Sequence, residues 1–281
     1  MKIAKEGKVQ IRSKSKFLTL IFYISLVILS SCSRSASQRG LIVAGSTSVQ
    51  PFADRWAEVY MQKYPGRIVN VQGGGSSAGI QAAKLGSAQI GSCSRELRED
   101  EEDLYETVVA RDGLAVIVHP SNEISDLSLE QVREIFAGKI RNWKGVSGKD
   151  KTITVVSREE GSGTRGSFQE MVMGKVRIFK SAIVQDSNGT VREIVANDPN
   201  SIGYISLGLV DKRVKALKLD GVLASEENIF NHHYKLVRPF LFVTNGPAKG
   251  EVKNFIDFVL SQEGQEIARK AGLIPAGEGE R

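Results

Sequence analysis

Three short stretches combine glycine with hydroxyl side chains: Gly45-Ser46-Thr47-Ser48, Gly73-Gly74-Gly75-Ser76-Ser77-Ala78-Gly79 and Gly161-Ser162-Gly163-Thr164. Each lies just ahead of a helical pattern, the first two directly behind a strand-like run, so each reads as a turn that opens a helix. The first turn of a helix carries backbone N–H groups without intrahelical partners and a partial positive charge, and hydroxyls add further donors. One such turn is explained by capping and turn preferences alone. Three of them, converging, make a cage for an anion. Arg158 stands just before the third turn and Arg95 just after Ser92-Cys93-Ser94, and a guanidinium beside such a cage offers paired hydrogen bonds to a tetrahedral oxyanion.

Other phosphate chemistries fit less well. The third turn runs from Gly161 through four residues to Gly166-Ser167, without the lysine of a nucleotide-binding loop. Gly73, Gly75 and Ala78 satisfy the loose dinucleotide pattern, but the following strand ends in Gly91-Ser92-Cys93-Ser94-Arg95 and has no acidic residue for a ribose. The histidines are His119, His232 and His233, and His119 ends an apolar run before Pro120 as a structural residue. No metal-ligand spacing and no nucleophile, base and orienting acid can be assembled, so neither cofactor nor metal is expected. An exported phosphatase using Ser46, Ser48 or Ser162 as nucleophile stays open as the reading from another class, as does a surface protein with an adhesive or signalling role.

The elements that must position these turns follow from periodicity. Leu41–Ala44, Ile68–Val71, Leu114–Val118, Ile153–Val156 and Leu241–Val243 read as buried strands. Phe52, Trp56, Val59 and Tyr60 recur at helical spacing between Pro51 and Pro65-Gly66. Further helices are predicted over Ile80–Leu85, Leu129–Phe136, Phe168–Met173 and Val252–Leu260. Gly138 and Gly174 stop two of them. The pattern is α/β, and no stretch of linker composition divides it.

The N-terminus reads differently. Lys2, Lys5, Lys8, Arg12, Lys14 and Lys16 precede an apolar run from Phe17 to Leu29, the order of an export signal over residues 1–31 and too short for a comfortable membrane span. Leu29-Ser30-Ser31-Cys32 resembles the lipobox of bacterial lipoproteins, which implies acylation of Cys32 and a tether over residues 32–39. Residues 1–31 carry a net +5 of the chain's +6, so the remainder is near neutral and gives no reason to expect nucleic-acid binding. Cys93 is the one cysteine beyond Cys32, which excludes a disulfide within the folded part.

Taken jointly, Ala44–Pro51, Val71–Gly79, Ile90–Leu97, Ile135–Trp143 and Ser157–Phe168 resemble the phosphate-binding proteins of bacterial phosphate ABC transporters, in their shorter branch, over nearly the whole chain beyond the signal. The resemblance implies a two-lobed periplasmic binding protein fold of type II, with a ligand cleft between the lobes and two hinge crossovers. Lobe I is then residues 40–118 and 236–281, and lobe II residues 119–235. It implies a monomeric extracytoplasmic lipoprotein, at the cell surface or in a periplasm, that hands inorganic phosphate to permease subunits. Carried over residue by residue, Thr47, Ser48, Ser76, Arg158, Ser162, Gly163 and Thr164 bind the anion, Ser77 is their neighbour and Glu160 orients Arg158. Ser94 stands where better-known members have an aspartate, and Arg95 follows it as an added charge. That departure keeps open a receptor for sulfate, molybdate or tungstate, since a serine repels a fully deprotonated anion far less than a carboxylate does.

Overall fold

The computed structural model describes residues 40–277; the expected signal segment 1–31, Cys32 and the spacer 32–39 lie outside the described residues. The chain alternates strand and helix from its first described element. Strand β1 (Leu41–Gly45) leads into helix α1 (Gln50–Lys63), β2 (Val69–Gly73) into α2 (Ser76–Lys84), and β3 (Ile90–Cys93) follows. Pro51 suits the first turn of α1, and Phe52, Ala53, Trp56, Ala57 and Tyr60 form its buried face. The Trp56 indole N–H donates to the Gly264 carbonyl at 2.8 Å, so burying the ring leaves no orphan donor.

A long strand β4 (Tyr105–Val118) then leaves this first layer. Helix α3 (Leu129–Phe136), β5 (Thr154–Arg158), α4 (Gly163–Phe168), β6 (Ile183–Gln185), α5 (Asn188–Asn197) and β7 (Ser201–Ser206) build the middle of the chain. The return is β8 (Val237–Thr244), followed by α6 (Gly250–Leu260) and α7 (Gln262–Lys270). A ten-stranded mixed sheet has β2-β1-β3-β8-β4-β7-β5-β6 as its main path. β1 pairs in parallel with β2 and β3, and β5 in parallel with β6 and β7, while β8 and β4 are antiparallel.

Two lobes result, each with its own large core, and the first adds a smaller cluster of Ile80, Ala83, Cys93, Leu104, Leu241 and Val243. One core joins residues of 41–110 to residues of 240–273, around Trp56, Phe240, Phe242 and Phe255. The other draws on residues 114–236 and Ile274, around Phe136, Phe168 and Tyr204. β4 and β8 are the two strands that pass between them, hydrogen-bonded to each other from Val237↔Gly113 to Thr244↔Tyr105. Leu114–Val118 pack in the second core, so the crossover lies near Asp112 and not at the expected boundary of residue 118. The reason is that one strand runs through both lobes, and periodicity alone does not say which core each part enters.

Local patterns extend further than apolar runs suggest. The helix expected from Phe168 begins at Gly163, with Ser162 as its N-cap accepting from the Arg165 N–H at 3.2 Å, and continues through Met173 in wider π-helical turns.

Candidate functional site

The three hydroxyl-rich turns meet at the interface of the two lobes. The β1–α1 turn supplies Ser46, Thr47 and Ser48, the start of α2 supplies Ser76, and the end of β3 supplies Ser94, all from the first lobe. The second lobe supplies Arg158 at the end of β5, Ser162, Gly163 and Thr164 at the start of α4, and Asn188 at the start of α5. Ser46, Ser48, Ser76, Ser94, Arg158, Ser162, Thr164 and Asn188 are buried. The lobes touch directly: Ser48 Oγ lies 2.6 Å from Thr164 Oγ1, Arg158 Nη2 donates to Thr47 Oγ1 at 3.2 Å, and the Ser77 N–H donates to the Gly161 carbonyl at 3.1 Å.

Close approach of the backbones explains two glycines. A Cβ on Gly163 would sit 2.2 Å from Ser76 Oγ and 2.6 Å from Ser94 Oγ, so only glycine lets the start of α4 come down onto those hydroxyls. A Cβ on Gly79 would meet the Ala44 carbonyl at 2.4 Å, so α2 lies flush on β1.

Arg158 is fixed from several sides. Its Nε and Nη2 form a paired contact with Glu159 at 3.0 and 2.9 Å, and they also donate to the carbonyls of Gln185 and Asp186. Below it, Tyr204 stacks on Phe168 with centroids 4.0 Å apart, and its hydroxyl accepts from the Arg158 N–H at 3.3 Å and meets Ser157 Oγ at 2.8 Å. The remaining nitrogen, Nη1, is buried without a protein partner. A buried cationic donor left open in this way is a place for an anionic acceptor.

The carboxylate on Arg158 is Glu159, which corrects the expectation for Glu160. The Glu160 side chain is 92% exposed and only approaches Arg165, at 3.9 Å. Arg95 also differs from expectation. Its Nη1 and Nη2 bind the Glu101 carboxylate at 2.7 and 2.8 Å, and none of its hydrogen bonds reaches the hydroxyl cluster. Burial alone raises the Glu101 pKa, but the hydrogen bonds from Arg95 and the Arg98 N–H outweigh it and hold the carboxyl below the usual glutamate range. Ser77 is half-buried and takes part through its backbone.

Besides Glu159, three residues escaped the sequence reading as site components: Asp112, Asn188 and Arg238. Asp112 and Arg238 face each other across β4 and β8 at the crossover, and both are buried. Arg238 Nε and Nη2 hold the Asp112 carboxylate at 3.0 and 2.8 Å. Nη2 also reaches Ser48 Oγ at 3.2 Å, and Nη1 reaches the Ser94 carbonyl at 3.2 Å. Desolvation pushes the Asp112 pKa up and the Arg238 pKa down, and their mutual attraction opposes both shifts. The available signals were Arg238 as the single charge in β8 and the adjacent Arg111-Asp112 pair just ahead of the apolar run in β4.

Ser46, Ser48 and Ser162 exchange hydrogen bonds with hydroxyls, amides, a guanidinium and backbone N–H groups, and among the described residues no histidine or carboxylate accepts a proton from them. Burial pushes the Cys93 thiol pKa up, leaving it an inert part of the core.

Residues 32–263 match the PBP superfamily domain. The phosphate-binding protein PstS of Bacillus subtilis is 35% identical over 84% of this chain and 80% of its own length. Among solved structures, a substrate-binding protein from Clostridium perfringens with bound phosphate is 43% identical, with a TM-score of 0.82 over 85% of this chain and 100% of that one. An ABC-type phosphate transport receptor from Vibrio cholerae is 39% identical, with a TM-score of 0.71 over 83% of this chain and 99% of that one.

Proposed function

Because the chain belongs to the PBP superfamily and, within it, to the bacterial phosphate-binding proteins, we propose that it captures inorganic phosphate between its lobes outside the cytoplasm and delivers it to an ABC import permease. The observation that carries this reading is the buried cluster of hydroxyls from both lobes around an arginine with one uncommitted nitrogen. Thr47, Ser48, Ser76, Ser94, Arg158, Ser162, Thr164 and the Gly163 N–H are assigned as the ligand set, with Ser77 at its edge. Arg95 is assigned to the Glu101 ion pair and Glu159 to the orientation of Arg158.

The finer parts of the reading rest on sequence pattern. Residues 1–31 are assigned as a signal removed on export, Cys32 as the lipid-bearing N-terminus, and the protein as a monomer anchored to a membrane surface. Lobe I is assigned to residues 40 to about 112 and about 237 to 281, and lobe II to the segment between, following the two cores. No catalytic step is assigned, since the candidate serines lack a base.

Calorimetric titration with phosphate tests the assignment. Saturable one-to-one binding is expected for the wild-type chain, with a loss of about a hundredfold or more in Arg158→Ala, the scale of a charge-assisted contact in a buried site. Well-folded wild-type protein that takes up no phosphate would sink the reading.

A further inference from the structure

Along one edge, β4 changes partners where the chain crosses between the lobes. Beyond Gly113 it pairs with β7, Leu114 facing Ser206, and ahead of Asp112 it pairs with β9 (Ile274–Pro275), Ile274 facing Arg111 and Pro275 facing Ala110. The exit of β7 and the approach to β9 meet there with almost no room between them. A Cβ on Gly208, just past β7, would sit 2.8 Å from the Ala271 carbonyl oxygen and 2.8 Å from Phe52 Cζ. Gly272 has a φ of 80°, which favours glycine, and its Cβ would lie 3.6 Å from Gly208 Cα. On β4 itself, a Cβ on Gly113 would lie 2.7 Å from Ile229 Cδ1. The two lobes thus bear on each other beside the crossover through bare backbone, as at a fulcrum.

By its backbone, β9 belongs to the first lobe. It pairs with the first-lobe part of β4, the Leu273 N–H donates to the Ala268 carbonyl at 3.1 Å, and the Ala276 N–H donates to Gln265 Oε1 at 2.6 Å. The Leu273 side chain lies in the first core. The next side chain does not. Ile274 is 3% exposed and joins the second core, with the short helix Glu226–Phe230 packed against β9. Among the described residues it is the one buried member of that core after Leu236. Successive side chains of an extended segment point to opposite sides, so one step along the chain puts Leu273 in one lobe and Ile274 in the other.

We propose that Ile274 is a tie across the hinge, a third one beside β4 and β8: when the lobes swing apart, β9 stays with the first lobe and draws this side chain out of the second core. This rests on the reading of the cleft as a site that closes on phosphate. Withdrawing a buried isoleucine exposes apolar surface to water, and reburying it returns that free energy when the lobes close. Ile274 is no part of the hydroxyl cluster, so it acts on affinity through the position of the lobes and not through contact with the anion.

The test is Ile274→Ala in the full chain, read by calorimetric titration with inorganic phosphate and by thermal unfolding with and without it. A residue that is buried only in the closed form contributes only there. The phosphate dissociation constant is therefore expected to rise on the order of thirtyfold, the low end of the cost of truncating a buried isoleucine. The thermal midpoint is expected to fall with saturating phosphate and to stay close to wild type without it.

A side chain that is simply part of a permanent core gives the opposite result: both midpoints fall alike and the dissociation constant does not move. That outcome would overturn the tie while leaving phosphate capture intact. Wild-type protein that takes up no phosphate would instead remove the premise, a failure seen without any substitution. Ile274→Val removes a single methyl group and keeps the test available if the alanine variant does not fold. Its dissociation constant is expected to rise roughly two- to tenfold, again with the midpoint of the phosphate-free protein unmoved, and an unchanged constant would refute the tie.

Discussion

At the residue scale, the cleft shows how narrowly a small side chain can be specified. Gly163 is surrounded at its missing Cβ by Ser76 Oγ and Ser94 Oγ, so Gly163→Ala must push α4 away from the two hydroxyls it packs against. Its backbone is not in the left-handed region, so the substitution strains the contact and not the turn. Phosphate affinity measured by calorimetry is expected to drop by tenfold or more, about the worth of one displaced charge-assisted hydrogen bond, with the thermal midpoint much less affected. An unchanged dissociation constant would mean that α4 does not close on the ligand. The hydroxyls themselves were legible as sequence because Gly, Ser and Thr in strand-to-helix turns have a local physical meaning. Their partners were not. Asp112 and Arg238 are 126 residues apart and meet only because β4 and β8 pair in one particular register. Glu159 and Glu160 are adjacent in sequence, and which of them faces Arg158 depends on the path of the turn.

At the element scale, strands and helices set by period and by caps were readable, while element ends and pairings were not. The helix at Leu129–Phe136 combines a Ser128–Gln131 capping box with a buried Val132, Ile135 and Phe136 face, and both signals lie within one short segment. Helix α5 also carries both signals, Ser187 accepting from the Thr190 N–H and Val191, Ile194 and Val195 at helical spacing, but its apolar face is so short that the pattern does not single it out. The segment after β3 is held by the Arg95–Glu101 pair, with side chains 5% and 6% exposed. Glu101 has a lowered pKa in the folded chain, so its contribution to stability is complete above glutamate's ordinary pKa and is lost as the pH falls through the folded-state value. Glu101→Gln is accordingly expected to lower the thermal midpoint at neutral pH and to make the decline on acidification shallower than in wild type. Parallel curves for the two proteins would show that Glu101 carries no such linkage. The Glu101→Gln change also leaves a buried guanidinium without its counter-charge, a loss of about 3–5 kcal/mol for a well-buried pair.

At the scale of the whole molecule, each guanidinium in or near the cleft is matched by its own carboxylate: Arg158 by Glu159, Arg95 by Glu101 and Arg238 by Asp112. The cleft thus attracts an anion by aimed donors and not by an excess of positive charge. Raising the ionic strength tenfold is expected to change the phosphate dissociation constant by less than about threefold, because short buried contacts are screened far less than surface fields. A steep salt dependence would point to long-range attraction instead. The same architecture has a consequence for the growing chain. β8 lies between β3 and β4 in the sheet, yet it is the last of these strands to be synthesised. A polypeptide that has reached Leu236 has nearly everything the second core requires, since residues 114–236 supply all of that core but Ile274. Its first lobe, begun earlier, still has a gap in the middle of its sheet, with the facing edges of β3 and β4 unpaired until Val237–Thr244 arrives. The half of the protein that starts first is therefore the half that must wait for its last strand before its sheet can close.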